Sequence, residues 1–518
     1  MSGDFEIHIT TYPGRDEKLE SFAAQHGLKY VHILLDRGTH PSQPMLTLVG
    51  RGSLAEQQVT LRHWQNAMRA AGLYPCRSKI EAAPSCPGVP RSDEETVTEP
   101  AGRYFEHHVK LLLPTPRVTD LIAITDLVAS HSARLSRNAR RRRDDGNQER
   151  FVTQRCHGVG LATAKRRLDA LVDAIRARGY EIARVEQEYV VFDSQIHLDQ
   201  GWLESPATNG RTSARENTMR TAPAAAPDYP PTYQPLPAGP GLHQRAAFDP
   251  AVKQYPNAYR AGEPEFLTAD TGHRWKTARR AAMNHVLTAI AGTTWAEHLV
   301  LRGSVTLTTW VGDAAREPGD LDFVVTPHAI TSNGTDAAAM FRDIKTAIQT
   351  MPGAGLQPER ATETAIWTYE RADGRRLVIP FQTNDAPNGH VQVDVVFGEH
   401  LPLPPEVLLL PGLDIPVLAA SAPLSLAWKL LWLATDRHPQ GKDLYDAALL
   451  AEYTTVDLAL VRDLIRPELS SEADTFTAET VLAWSVDWTN FTDEYPNITG
   501  ASEHWTRRLA LALDRAWH

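Results

Sequence analysis

Arg316-Glu317-Pro318-Gly319-Asp320-Leu321-Asp322-Phe323-Val324-Val325 runs from a loop into an apolar stretch that reads as a strand. Side chains alternate along a strand, so Asp320 and Asp322 share one face while Leu321 and Phe323 turn to a core. Two carboxylates that close repel each other unless a cation sits between them, and hard divalent ions such as Mg²⁺ take oxygen ligands of this kind. Asp-x-Asp is common, and read alone the pair is first of all two solvated acids at a strand end. Downstream, Val391-Gln392-Val393-Asp394-Val395-Val396-Phe397 sets one carboxylate inside a β-branched run. A buried Asp needs a partner, a proton or a metal; at an exposed strand edge it needs none. Upstream, Leu301-Arg302-Gly303-Ser304-Val305-Thr306-Leu307 places Gly-Ser between a strand and a helix. Gly allows close backbone approach, and helix N-terminal amides favour an anion.

Together these pieces resemble the nucleotidyltransferase fold of the polymerase β type: Gly-Ser, then Asp-x-Asp on a strand, then a third Asp on a neighbouring strand. The closer resemblance is to the AbiEii/AbiGii toxin-type nucleotidyltransferases, which include the MenT toxins. Arg316 stands four residues before Asp320, Lys429 lies on a later apolar helix, and Lys442-Asp443-Leu444-Tyr445-Asp446 follows it, all as in that family. Pro318 replaces the Ser usual two residues before the first Asp. The resemblance spans about residues 275–453. It implies that Asp320, Asp322 and Asp394 bind two Mg²⁺ ions and that Asp394 helps deprotonate an acceptor hydroxyl. By the same resemblance, Gly303, Ser304, Arg316 and Lys429 hold the NTP and Asp443 orients Lys429 or the nucleotide. The implied reaction moves an NMP to an RNA acceptor, tRNA foremost, in a toxin or phage-defence setting with a possible separate antitoxin. A protein or small-molecule acceptor, or a non-catalytic nucleotide- or partner-binding role, remains as the alternative.

The whole chain has 518 residues, 42% of them hydrophobic and 22% charged, with a net charge of −10. That is ordinary globular composition, long enough for about three domains. Met1-Ser2-Gly3-Asp4-Phe5-Glu6 lacks the basic and apolar regions of an export signal, and the three cysteines make no disulfide or zinc pattern, so a cytoplasmic location is expected.

A Pro/Ala-rich stretch over 204–262 reads as a linker. It separates a front region (1–203) from an expected nucleotidyltransferase core (263–415) and helical C-terminal subdomain (416–518). Phe5-Glu6-Ile7-His8 recurs as Phe105-Glu106-His107-His108, and each opens a β-α-β-β-α-β pattern, over 1–84 and 101–203. The expected fold class is therefore α+β, with a duplicated ferredoxin-like region ahead of the core. His8-Ile9-Thr10 is similar to the His-x-Thr pairs of 2H phosphoesterases, but the second copy reads His108-Val109-Lys110 without the hydroxyl. The basic run Arg140–143, followed by Asp144 and Asp145, reads as a solvated hairpin tip. The front half is expected to be a specificity, partner-binding or neutralising module.

Overall fold

A computed structural model describes residues 1–139, 147–203, 242–243, 265–368 and 372–518. The basic run at 140–143 and nearly all of the expected linker lie outside the described residues. The chain divides into two compact units, Met1–Asn209 with Ala478–Ser485, and Gly210–Thr477 with Val486–His518.

In the first unit the order is β1 (Ser2–Thr11), α1 (Asp16–His26), β2 (Lys29–Leu35), β3 (Ser42–Ser53), α2 (Leu54–Ala70) and β4 (Pro75–Ala82). The same order repeats as β5 (Tyr104–Pro114), α3 (Val118–Ala129), β6 (Ala133–Asn138), β7 (Asn147–His157), α4 (Leu161–Ala177) and β8 (Glu181–Asp193). Local chemistry sets the ends of these elements. Ser53 and Glu56 form a reciprocal capping box that starts α2. Gly72 and Gly179, at φ +70° and +80°, take the left-handed turns out of α2 and α4.

All eight strands form one closed barrel in the order β1-β3-β2-β6-β7-β5-β8-β4. Each repeat contributes four antiparallel neighbours, and the repeats join through β2–β6 and β4–β8. Closure removes the sheet edges that two separate repeats would expose. Phe5, Ile7 and Ile9 of β1 pack outward with Leu19 and Phe22 of α1 and Leu61 and Met68 of α2. Alternation then turns Glu6, His8 and Thr10 inward. The same holds for Lys79 and Glu81 of β4 and Glu106 and His108 of β5, so the lumen is polar.

Asp36, just after β2, shows what burial costs in this unit. Its carboxyl is pushed from its ordinary 3.8 up to about 6, by burial first, with Arg134 and Arg37 pulling the other way. Its Oδ1 accepts no hydrogen bond. A carboxyl with a raised folded pKa binds its proton more tightly folded than unfolded, so stability falls as pH rises from about 4 to about 6. Asp36→Asn should remove that fall and stabilise the protein at pH 7 by roughly 1 kcal/mol, the side chain being partly solvated. Denaturant midpoints across pH 4–8 check this; equal pH dependence in both proteins would refute it.

The second unit opens with a short ribbon of β9 (Leu242–His243) and β10 (Glu265–Phe266), then the long helix α5 (Ala269–Ala291). Its seven-stranded sheet is built from β11 (Leu299–Arg302), β12 (Leu321–Val325), β13 (Thr362–Thr368), β14 (Ala372–Phe381), β15 (Gly389–Val396), β16 (Glu406–Leu408) and β17 (Val417–Ala419). The spatial order is β13-β14-β15-β12-β11-β17-β16. Helix α6 (Ser304–Val311) follows β11, and α7 (Thr335–Thr350) follows β12. Leu301, Phe323, Val393 and Val395 pack with Met283 and Val286 of α5 and Phe341 and Ile344 of α7. On the other face, Val300 and Val324 meet Leu424 and Trp428 of α8 (Ala422–Thr435). A sheet covered on both faces needs near-continuous apolar strands, which is why a lone carboxylate in β15 stands out. Helices α9 (Gly441–Tyr453), α10 (Leu458–Leu469), α11 (Ala478–Leu482), α12 (Trp488–Glu494) and α13 (Ser502–Trp517) complete the chain, with α11 in the first unit. No helix among the described residues is long and apolar enough to cross a membrane.

Candidate active site

Strand register assembles the site. Parallel pairing of β12 with β15 sets Asp322 opposite Asp394, and Asp320 immediately precedes β12. Carboxylate oxygens of Asp320, Asp322 and Asp394 all lie within 4.8 Å of one another. Burial, reinforced by the charges of Asp320 and Asp394, pushes the Asp322 carboxyl up to about 8, against the pull of Arg302 and Lys442. Like charges held this close stay ionised together only with a counter-cation. The donor set, all oxygen, is of the kind that Mg²⁺ takes.

Arginines flank the acids in the same transverse row. Arg302 pairs across β11–β12 with Asp322, and Arg376 across β14–β15 with Asp394. Arg376 donates two hydrogen bonds to Asp394, each 2.7 Å, and Gln392 Nε2 adds a third at 3.1 Å. Arg302 donates to Glu399 at 2.7 and 2.8 Å and lies over the Trp428 ring, 5.0 Å from its centroid.

Gly303 is the N-cap of α6 at φ +85°. A Cβ there would stand 2.7 Å from Oδ2 of Asp322. Only glycine permits both the backbone angle and this contact. Ser304, buried, opens α6 beside the acids. Gly303→Ala should destabilise the protein by about 2–3 kcal/mol. By displacing Asp322 it should also lower nucleotidyl transfer about 100-fold. Gly312→Ala has a left-handed φ of +57° but open space around it, so it should share the strain without the loss of activity. Equal activities of the two variants would contradict this account.

The structure places Arg316, Lys429 and Asp443 in a buried ion network with Asp446. Arg316 Nε and Nη2 donate to Asp446 at 3.0 and 2.9 Å. Lys429 Nζ lies 2.7 Å from Asp443 and 3.0 Å from Asp446. Burial works against the Lys429 ammonium, but Asp443 and Asp446 outweigh it and hold its pKa above the ordinary range. Arg316, expected at the nucleotide, thus spends its guanidinium on Asp446 and on Tyr495. Asp446, which takes both Arg316 and Lys429, is the hub. Arg302 and Arg376 are site residues that the sequence did not single out. Alternation along β14 was the available signal for Arg376, but nothing local reveals which residue a distant strand sets opposite it.

Residues 285–512 match the family described as "Nucleotidyl transferase AbiEii toxin, Type IV TA system". The chain is a nucleotidyltransferase, and this segment is its AbiEii toxin-type domain. No part of the first unit's barrel falls within the match. Among curated proteins none matches the chain. A solved structure named "Putative Chlorite dismutase TA0507" aligns at 17% identity over 37% of this chain and 96% of its own, with a TM-score of 0.15, too low to carry an argument.

Proposed function

We propose that the second unit moves a nucleoside monophosphate from an NTP to an acceptor hydroxyl on RNA, with tRNA the foremost candidate, as a toxin restrained by a separate antitoxin. Its core is taken as polymerase-β-type, and the barrel ahead of it as two fused ferredoxin-like repeats serving specificity or restraint. The observation that best supports the reaction is the meeting of Asp320, Asp322 and Asp394 against the Gly303 bend. The three acids would hold two Mg²⁺ ions, which when bound would screen the triphosphate and ease deprotonation of the acceptor hydroxyl.

The remaining roles fall to the chain itself. Backbone amides at Gly303 and Ser304, with the N-terminus of α6, would face the β and γ phosphates. Arg376 would fix Asp394 in the orientation needed beside the incoming hydroxyl. The Arg316–Asp446–Lys429–Asp443 network would hold the first turn of α9, whose Lys442 bears electrostatically on Asp322. Lys429 would then act on the nucleotide through position rather than by direct contact.

The test is a panel of α-labelled NTPs incubated with the protein and total cellular RNA. Label should enter RNA, most strongly the tRNA fraction, and disappear with Asp320→Ala. Label on protein or a small molecule instead would replace the acceptor, and no transfer by a protein that binds NTP would overturn the reading.

A further inference from the structure

The repeated Phe-Glu-x-His pair has a structural consequence outside the nucleotidyltransferase site. Both copies turn their Glu and His into the barrel lumen, and the strand partners repeat as well. Glu6 stands opposite Glu81 and His8 opposite Thr47; Glu106 stands opposite Glu188 and His108 opposite Thr153. Each repeat therefore supplies two glutamates, a histidine and a threonine to one interior. In each, the threonine holds the imidazole by Nδ1, at 3.0 Å for Thr47–His8 and 3.1 Å for Thr153–His108. An imidazole fixed through Nδ1 presents Nε2, the arrangement by which protein ligands to metals are oriented.

The two copies then diverge. His8 Nε2 is taken up by Glu81 Oε2 at 2.9 Å. That bond leaves Glu81 Oε1, on a side chain only 1% exposed, facing inward; it accepts no hydrogen bond, although Lys79 Nζ stands 2.6 Å away. His108 Nε2 instead lies between two acids, 3.4 Å from Glu106 Oε2 and 3.7 Å from Glu188 Oε2. Ligand atoms of Glu81, His108 and Glu188 all lie within 4.8 Å of one another. Glu106 is already engaged, by Arg155 at 2.6 Å and by Lys79. A cavity of ≈ 560 Å³ reaches Glu81 and Glu188, with Glu6, Glu186 and Arg51 at its wall.

We propose that Glu81, His108 and Glu188 bind a divalent transition-metal ion inside the barrel, with a coordination position open to this cavity. Two carboxylates and one imidazole are a mixed oxygen and nitrogen set, which suits Zn²⁺ or Mn²⁺ rather than the all-oxygen ions. Two glutamates in contact repel unless a proton or a cation bridges them. Lys79 shifts from Glu81 fully onto Glu106 when the ion enters. His8 and Thr153 are positioning residues, one aiming a carboxylate and the other an imidazole.

The test uses the full-length chain carrying Asp320→Asn and Asp322→Asn, so that the carboxylate cage of the second unit is disabled. After chelation, Zn²⁺ is added back and the metal retained through gel filtration is measured. One ion per chain is expected. His108→Gln and Glu188→Gln should each weaken binding at least about 100-fold, and Thr153→Val, which spares all three ligands, about 10-fold. In the Co²⁺-substituted protein, His108→Gln should also alter the visible absorption bands. Retention unchanged in His108→Gln and Glu188→Gln, or no Zn²⁺ bound by a protein with wild-type circular dichroism, would overturn the proposal and leave Glu81 and Glu188 as a proton-sharing pair.

Discussion

Asp322→Asn should abolish nucleotidyl transfer, lowering it by at least about 1,000-fold, while the metal-free protein melts no earlier than wild type. The two halves of that expectation have one cause. Asp322 lies between Asp320 and Asp394, and burial together with those neighbours disfavours its charge. Replacing it with a neutral isostere relieves repulsion, so folding gains where catalysis loses. Added Mg²⁺ should raise the melting temperature of wild type by binding the folded state, and this rise should shrink or vanish in the variant. Transfer assays and thermal melts with and without Mg²⁺ are sufficient. A variant that retains more than a tenth of the activity, or one that melts well below wild type without metal, would show that Asp322 is a structural acid.

What the sequence revealed of this site follows from how each residue is held. Asp322 and Asp394 were legible because a carboxylate inside an apolar strand contradicts its surroundings, and Asp320 because it stands two residues before Asp322 on the same face. Gly303 was legible because glycine after a strand marks a backbone constraint. Arg302 and Arg376 were not, because their place opposite the acids depends on register between strands far apart in sequence, and a one-residue slip would move them to the other face. Lys429, which the resemblance sets at the NTP, has the chain's own Asp443 and Asp446 as its nearest anions, and neither pairing is visible before the helices pack. The barrel divides along the same line. Two runs of β-α-β-β-α-β are visible in local periodicity, and the element order of the first unit repeats that pattern. Closure through β2–β6 and β4–β8 is a long-range pairing of edge strands with no local signature. The polar lumen is hidden for that reason, since inward Glu6 and His8 read as solvent-facing until the sheet closes.

Asp446→Ala should destabilise the second unit as much as truncating one of its large core side chains, by about 3–5 kcal/mol. Asp446 is fully buried and bridges Arg316 and Lys429, so its loss leaves the Arg316 charge with no carboxylate, only the Tyr495 hydroxyl, and Lys429 with Asp443 alone. An uncompensated buried charge costs far more than the ion pair contributes, which makes this loss larger than that expected of a surface pair. Asp443→Ala is the natural comparison. Lys429 then keeps Asp446, no cation is stranded, and the cost should fall to about 1–3 kcal/mol. Urea midpoints of the two variants decide the point, and similar values would show the network to be less tightly shared than its distances imply. The consequence for activity follows from geometry. Asp446 ties the loop that ends at Asp320 to α9, and the first turn of α9 carries Lys442, whose charge bears on Asp322. Transfer by Asp446→Ala measured well below its melting point should therefore still fall, and full activity there would confine the network to a purely stabilising role.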